Sequence, residues 1–288
     1  MMPPEAIEKM EIDPEDYVWI NGFSLPPARK VQPVHAFLSV LRLITNKEDT
    51  RQVFEIVQAM AGASGHRLFK RFTDTDYGRR VVSEPVKLEE LLGDRERLRA
   101  FPEGSLARAY LAFMEGENLT PEGLRSAAEE AGIDYDGYPE FSEYTRLFMH
   151  LQVNHDLWHV LSGYGRDALG ELCNLVFTRQ QTRNPGFQLI VLIGGIALKL
   201  DNWSVPTIKA LREAGRNARR ANWIMQYDVE ALLALPVATV REKLNLATGD
   251  VYHAIPSDVR YALLKPKVRE TQSEREQAAR DKAAMQSV

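Results

Sequence analysis

A single cysteine, Cys173, stands in a chain of 288 residues, and this excludes an internal disulfide framework. Cys173 fits a reducing compartment and reads as a small buried apolar residue. Long hydrophobic runs are also scarce. The longest, Phe187 to Leu198, is broken by Gln188 and by the Gly194-Gly195 pair and closes at Lys199. At about twelve residues it is well short of the ~20 that span a bilayer, so a buried helix is expected there. The N-terminus, MMPPEAIEKMEIDPEDY, has neither the apolar core of a secretory signal nor the Arg-rich pattern of a transit peptide. Net charge is −4 and pI near 5.9, so no global basic field points to nucleic acid, and no nucleic-acid partner is expected. No Gly-rich phosphate loop, nucleophile elbow, CxxC pair or internal repeat is present. Alternating β-branched residues never persist beyond a few positions, and Val81-Val82 is too short to count as a strand.

Helical signals fill the space these absences leave. Val34 to Ile44 is densely apolar, and Asp49-Thr50 starts a second helix that Gly62 closes. Leu88 to Leu98 is helix-like and broken at Gly93; Ser105 opens the helix that carries Leu106, Ala109, Tyr110 and Phe113. Thr120-Pro121-Glu122 is a helix start, with Thr as cap and Pro at the first helical position, and Gly132 ends that element. Phe141 to Leu161 and Asp167 to Thr182 read as two long helices. Asn184-Pro185-Gly186 breaks the chain before the apolar helix, Pro206 to Met225 is amphipathic, and Val229 to Leu244 supplies the last one or two. The class is all-α, a single-domain bundle of about eight to ten helices with mobile terminal segments, which fits a chain of this length. The expected organisation is an N-terminal extension over 1–33, a helical metal-binding domain over 34–250 and a charged, partly disordered tail over 251–288.

His155-Asp156-Leu157-Trp158-His159, followed by eleven residues and then Glu171, is the pattern that carries chemistry. On a helix, residues four apart share a face, at about 5–6 Å between Cβ atoms, so His155 and His159 point the same way. Glu171 reaches that face only if the chain turns back, and Gly163-Tyr164-Gly165 can make the turn. Two neutral imidazoles and two carboxylates suit a divalent metal, whether Zn, Fe, Mn or Co. The alternative is a set of hydrogen-bonded polar residues on an apolar segment.

Three metal-enzyme patterns compete. Zinc proteases place glutamate where Asp156 stands, and the metzincin positions for Gly and the third His hold Ser162 and Gly165. HD-type phosphohydrolases need further ligands on distant helices, for which His35, His66, His150 and His253 remain. Elsewhere, Lys209, Arg212, Arg216, Arg219 and Arg220 make one helical stripe. It is either a solvated face or an anion site for a carboxylate, a phosphate or anionic lipid. Arg216, beside Gly215, is the member to single out.

The string HDLWHVLSGYGRDALGE resembles the HDxxH-x11-E signature of the ubiquinone-biosynthesis family numbered four in the Coq series. The likeness extends to Asp49-Thr50, Val53-Phe54 and Gly62, to Phe101 through Tyr110 with Phe113, to Tyr144 and Arg146, and to Gly215-Arg216 and the Asp228, Pro236, Arg241, Leu244 run. It covers roughly residues 34–246. Asn154, His150-Leu151-Gln152 and Tyr227-Asp228 depart from the family pattern, which bears on the pocket wall more than on the metal site. The resemblance implies an all-helical homodimer, peripheral on the inner face of the cell membrane from the cytoplasmic side. It implies a metal held by His155, Asp156, His159 and Glu171, with Arg146, Arg216 and Tyr164 as candidate catalytic residues. The implied substrate is a polyprenylated quinone precursor, whose C1 carboxylate is lost and replaced by a hydroxyl. The implied partners are other ubiquinone-biosynthesis proteins, and the alternative role is a lipid-binding scaffold that organises them without catalysis.

Overall fold

In a computed structural model, the described residues are 12–46, 49–84, 87–119, 129–130 and 139–264. The helix expected from Thr120 to Gly132 lies outside them except for residues 129–130, as do the first eleven residues of the chain and, of the tail expected over 251–288, everything after residue 264. Residues 251–264 of that tail carry short helices and put Tyr252, Ile255 and Leu263 in the core.

Helix dominates because most of the chain repeats its apolar residues every three to four positions. The described exception is one hairpin, β1 (Val18–Ile20) paired antiparallel with β2 (Phe23–Leu25), with Ile20 opposite Phe23. Its two-residue turn is Asn21-Gly22, at φ 54° and 88°. That is the left-handed pair a tight hairpin needs, and Asn-Gly supplies it at least cost. Apolar periodicity predicts no strand here, because three-residue strands are too short to carry one.

The first helical group follows: α1 (Pro33–Thr45), α2 (Thr50–Ala59), α3 (Ser64–Thr73), α4 (Asp76–Ser83), α5 (Lys87–Gly93), α6 (Arg95–Arg99) and α7 (Leu106–Gly116). Helices α3 and α4 are not among those expected from the sequence. Each is short, but Leu68, Phe69, Phe72 and Val82 bury a clear stripe, and Thr75 caps α4 by accepting from Gly78 N–H at 3.0 Å. The break at Gly93 is real: Asp94 restarts the chain as α6 by accepting from Arg97 N–H at 3.0 Å.

The second group is α8 (Ser142–Ser162), α9 (Ala168–Thr182), α10 (Pro185–Asp201), α11 (Thr207–Arg220), α12 (Val229–Leu233), α13 (Val237–Lys243), α14 (Asp250–His253) and α15 (Ser257–Ala262). Helices α12 to α15 are shorter than an eight-to-ten-helix bundle supposes, because Pro236, Gly249 and Pro256 each restart the chain. Helix α10 corrects another expectation. Asn184 caps it and Pro185 is its first residue, so the expected break is its start. Nor is it wholly buried, since Leu192, Ile196 and Leu200 face outward.

Two apolar clusters make the core. One gathers α3 to α8, α12 and α13 around Phe69, Phe72, Leu106, Tyr110 and Leu157. The other gathers α1, α2, α9, α10, α11 and the segment after residue 250 around Val40, Ile56, Leu169, Leu198 and Tyr252. Helix α8 contributes to the first cluster and α9 to both, through Phe177 and Leu172. The motif therefore lies where the two clusters meet.

Candidate metal centre

The turn between α8 and α9 is built from main-chain requirements. Gly163 ends α8 at φ 77°, with its N–H donating to His159 O at 2.9 Å. Arg241 closes the same end: its guanidinium donates to the carbonyls of Leu161 and Val160 at 3.0 and 2.9 Å. Asp167 starts α9 by accepting from Gly170 N–H at 3.0 Å. Gly170 must be glycine, because a Cβ there would lie 2.2 Å from Gly165 O. Buried Tyr252 locks the turn. Its hydroxyl accepts from Gly165 N–H at 2.9 Å and donates to Asp167 Oδ2. Arg260 lies over the Tyr252 ring and 3.9 Å from the same carboxylate oxygen.

The fold-back brings three donors together. His155 Nε2 and His159 Nε2 are 3.3 Å apart, and Glu171 Oε2 lies 3.3 Å from His159 Nε2 and 3.9 Å from His155 Nε2. One ligand atom from each of the three residues lies within 4.8 Å of the others. Ligand nitrogens at about 2.0–2.1 Å from a tetrahedral zinc stand about 3.3–3.4 Å apart, so the observed spacing fits a metal centre. The His159 ring is held in the orientation that ligation needs. Its Nδ1–H donates to the Tyr164 carbonyl at 2.9 Å, which leaves the Nε2 lone pair facing the group. Phe113 stacks on the same imidazole, with centroids 5.5 Å apart.

Protonation follows from burial and from the mutual field. Burial and the neighbouring His159 push the His155 pKa down, which favours the neutral imidazole a metal needs. Burial would depress His159 as well, but the Glu171 carboxylate outweighs it and raises the value. Burial alone would raise Glu171, yet the two imidazoles and Arg166 hold it down at about 2. Asp156 is pushed up, chiefly by burial. Proton and metal thus compete for the Nε2 atom of His159.

Of the four expected ligands, the structure gathers His155, His159 and Glu171, while Asp156 lies outside that close group. The candidate catalytic residues are dispersed. Arg146 Nη1 donates to the Val82 carbonyl at 2.6 Å. It stands nine residues before His155 on α8, about 13 Å away along the axis at 1.5 Å per residue. Arg216 is exposed on α11, and Gly215 beside it is faced by Val176 and Arg219. Tyr164 is at the site through its backbone carbonyl. Sequence reasoning misses Arg166, whose Nε is 3.5 Å from Glu171 Oε1. Its place inside the motif string is the available signal. Phe113 and Tyr252 are missed in these roles too, and nothing local in the sequence links either to the motif.

Residues 27–250 match the family model described as coenzyme Q (ubiquinone) biosynthesis protein Coq4. The chain is 25% identical over 202 residues to the human mitochondrial ubiquinone biosynthesis protein COQ4 homolog, covering 69% of this chain and 73% of that protein. It is 25% identical over 196 residues to the bovine mitochondrial counterpart, covering 67% and 71%. The fold is shared with the crystal structure of a candidate ubiquinone biosynthesis protein from Nostoc punctiforme. The TM-score is 0.51 at 17% identity, covering 75% of this chain and 98% of that one.

Proposed function

The chain belongs to the Coq4 family of coenzyme Q (ubiquinone) biosynthesis proteins, and from that premise we propose that it acts on C1 of a polyprenyl hydroxybenzoate-type precursor with the help of a divalent metal. The observation that carries this reading is the convergence of His155, His159 and Glu171 at the fold-back of the motif. Asp156 is the fourth ligand in the same reading. Mixed nitrogen and oxygen donors suit Zn, Fe, Mn or Co. Such an ion, when bound, polarises an oxygen of the substrate ring as a Lewis acid.

The chain's own residues do the rest. The Tyr164 carbonyl fixes the His159 ring, and Phe113 covers one face of it against water. Arg166, beside Glu171, is better placed to hold the substrate carboxylate than Arg146, engaged at Val82, or Arg216 on the solvent face of α11. Loss of CO2 with gain of a hydroxyl at C1 is a two-electron oxidation of the substrate as a whole, with dioxygen as the oxidant: the carboxylic acid, dioxygen and water give the phenol, CO2 and hydrogen peroxide. The same reading places the protein as a homodimer, peripheral on the inner face of the cell membrane. Among the described residues no helix is long and apolar enough to cross a membrane.

The test is aerobic incubation of metal-loaded protein with a short-tailed prenyl hydroxybenzoate. CO2 release with ring hydroxylation is expected, and it should be lost in His159→Ala. Binding without turnover across Zn, Fe, Mn and Co would replace this reading with a second one. In that reading the protein is a lipid-binding scaffold for other ubiquinone-biosynthesis proteins, and the metal only staples α8 to α9. What favours the scaffold is that the three ligands come from two consecutive helices.

A further inference from the structure

Among the described residues, large apolar side chains left in water are few, and most of them lie on or next to two helices. On α1, Val34, Phe37, Leu38 and Leu41 are 42% to 72% exposed. Their i, i+3, i+4, i+7 spacing makes one stripe, while Ala36, Ser39 and Val40 on the other side are buried. Helix α10 packs beside α1 and repeats the pattern. Its Leu192, Ile196 and Leu200 lie four residues apart and are 53% to 62% exposed. The chain leaves α10 through Trp203, 68% exposed, with Lys199 Nζ 5.4 Å from its ring centroid. Single exposed apolar residues are ordinary, but a contiguous face of this kind marks a docking surface.

The charge exposed on the helices of this face and on α11 has one sign. The exposed charged residues of α1, α10 and α11 are Arg42, Lys209, Arg212, Arg216, Arg219 and Arg220, all basic. The acids on these helices are turned to backbone amides: Asp201 Oδ2 accepts from Leu264 N–H at 3.1 Å, and Glu213 Oε2 from Val251 N–H at 2.8 Å. Helix α11 crosses α10 at Gly195, where Leu211 lies against the glycine. Ile208, Lys209 and Arg212, all within three residues of Leu211 on α11, are exposed.

We propose that the α1–α10 face seats on an anionic phospholipid surface. The two apolar stripes enter the headgroup–acyl boundary, and the basic residues of α11 meet lipid phosphate. Trp203 and Lys199, apolar in body and polar at the tip, suit that boundary. A second copy of the chain fits worse. In a two-fold pairing the same patch meets itself, and the exposed charges of these helices would meet only their own sign. The face stands on exposure and charge; only its purpose, collecting a bilayer-borne precursor, rests on the proposed function.

The experiment is co-sedimentation of the full chain with vesicles of phosphatidylcholine, alone or mixed with phosphatidylglycerol, across salt. Wild type is expected to bind the mixed vesicles more tightly, with affinity falling as salt rises. The Lys209→Glu/Arg212→Glu double variant should lose about tenfold or more on mixed vesicles. Leu38→Glu/Ile196→Glu should lose binding to both, with circular dichroism and metal content unchanged; Leu192→Ser/Leu200→Ser repeats the test if that variant does not fold. Wild-type failure to bind, or unaltered binding by the apolar variants, overturns the proposal. So does a wild-type dimer, seen by light scattering, that these variants split, because a second copy then covers the face. Turnover of a detergent-dispersed short-tailed precursor, measured on the same variants, separates failure of this face from failure of the proposed chemistry.

Discussion

Tyr252→Phe tests whether the turn between α8 and α9 sets the position of Glu171. The ring stays, so its packing against Tyr164, at 5.3 Å between centroids, and under the Arg260 guanidinium, at 4.2 Å, is kept. The hydroxyl goes, and with it two hydrogen bonds inside a residue that is 1% exposed. Gly165 N–H is left without its acceptor, and Oδ2 of the fully buried Asp167 carboxylate loses its hydroxyl donor while Oδ1 keeps Gly170 N–H. A buried amide left unpaired costs about 1–3 kcal/mol, and a hydrogen bond to a charged group contributes about 1.5–3 kcal/mol. Allowing for partial relaxation, a loss of about 2–4 kcal/mol of folding stability is expected, read as a lower urea midpoint at unchanged slope. Asp167 caps the helix whose first turn carries Glu171, so the metal centre should loosen as well. Groups that orient ligands from behind are typically worth about 10–100-fold in metal affinity, and chelator competition should show a loss in that range. Tyr261→Phe is the control: Tyr261 is exposed and donates to half-buried Glu117 at 3.1 Å, so it should change stability by less than about 0.5 kcal/mol. A Tyr252→Phe protein within about 0.5 kcal/mol of wild type, or one that is destabilised but binds metal as wild type does, would refute the reasoning.

Three further outcomes are expected. His159→Ala should abolish stoichiometric metal by elemental analysis, while Asp156→Asn, outside the close group, should weaken binding less than Glu171→Gln. His150 is buried against Phe72 and Tyr77, and burial holds its pKa at about 4, below its ordinary value of 6.5. The unfolded chain therefore binds this proton first, and stability should fall as pH drops from 6.5 towards 4, by about 1.4 kcal/mol per unit. Urea titrations at pH 7 and 5 should differ less in His150→Phe than in wild type, and an equal difference would remove His150 as the cause. Arg241→Lys keeps the charge but not the two-pronged donation to Val160 and Leu161. A loss of about 1–3 kcal/mol is expected in thermal or urea melts, and a neutral result would mean that solvent caps α8 equally well.

The sequence by itself determined the helical class, the long α8 and α9, and the pairing of His155 with His159. These follow from periodicities of three and four residues, which a helix turns directly into a shared face. It also determined that Glu171 could return to that face, because Gly163 and Gly165 permit the turn. Short elements were less legible. The hairpin at Asn21-Gly22 was not read from the sequence, because its three-residue strands carry no periodicity, and α3 and α4 show their stripes only once Phe69, Phe72 and Val82 have something to pack against. Tertiary structure alone decided the rest. It placed Tyr252 under a turn 87 residues away in sequence, stacked Phe113 on His159, set Arg166 beside Glu171, and drew Arg146 off to the Val82 carbonyl. It also decided that α10, apolar nearly all round, hides only one side. Composition states how much apolar surface a helix has, but only the neighbours it meets in the folded chain determine which part of that surface leaves water.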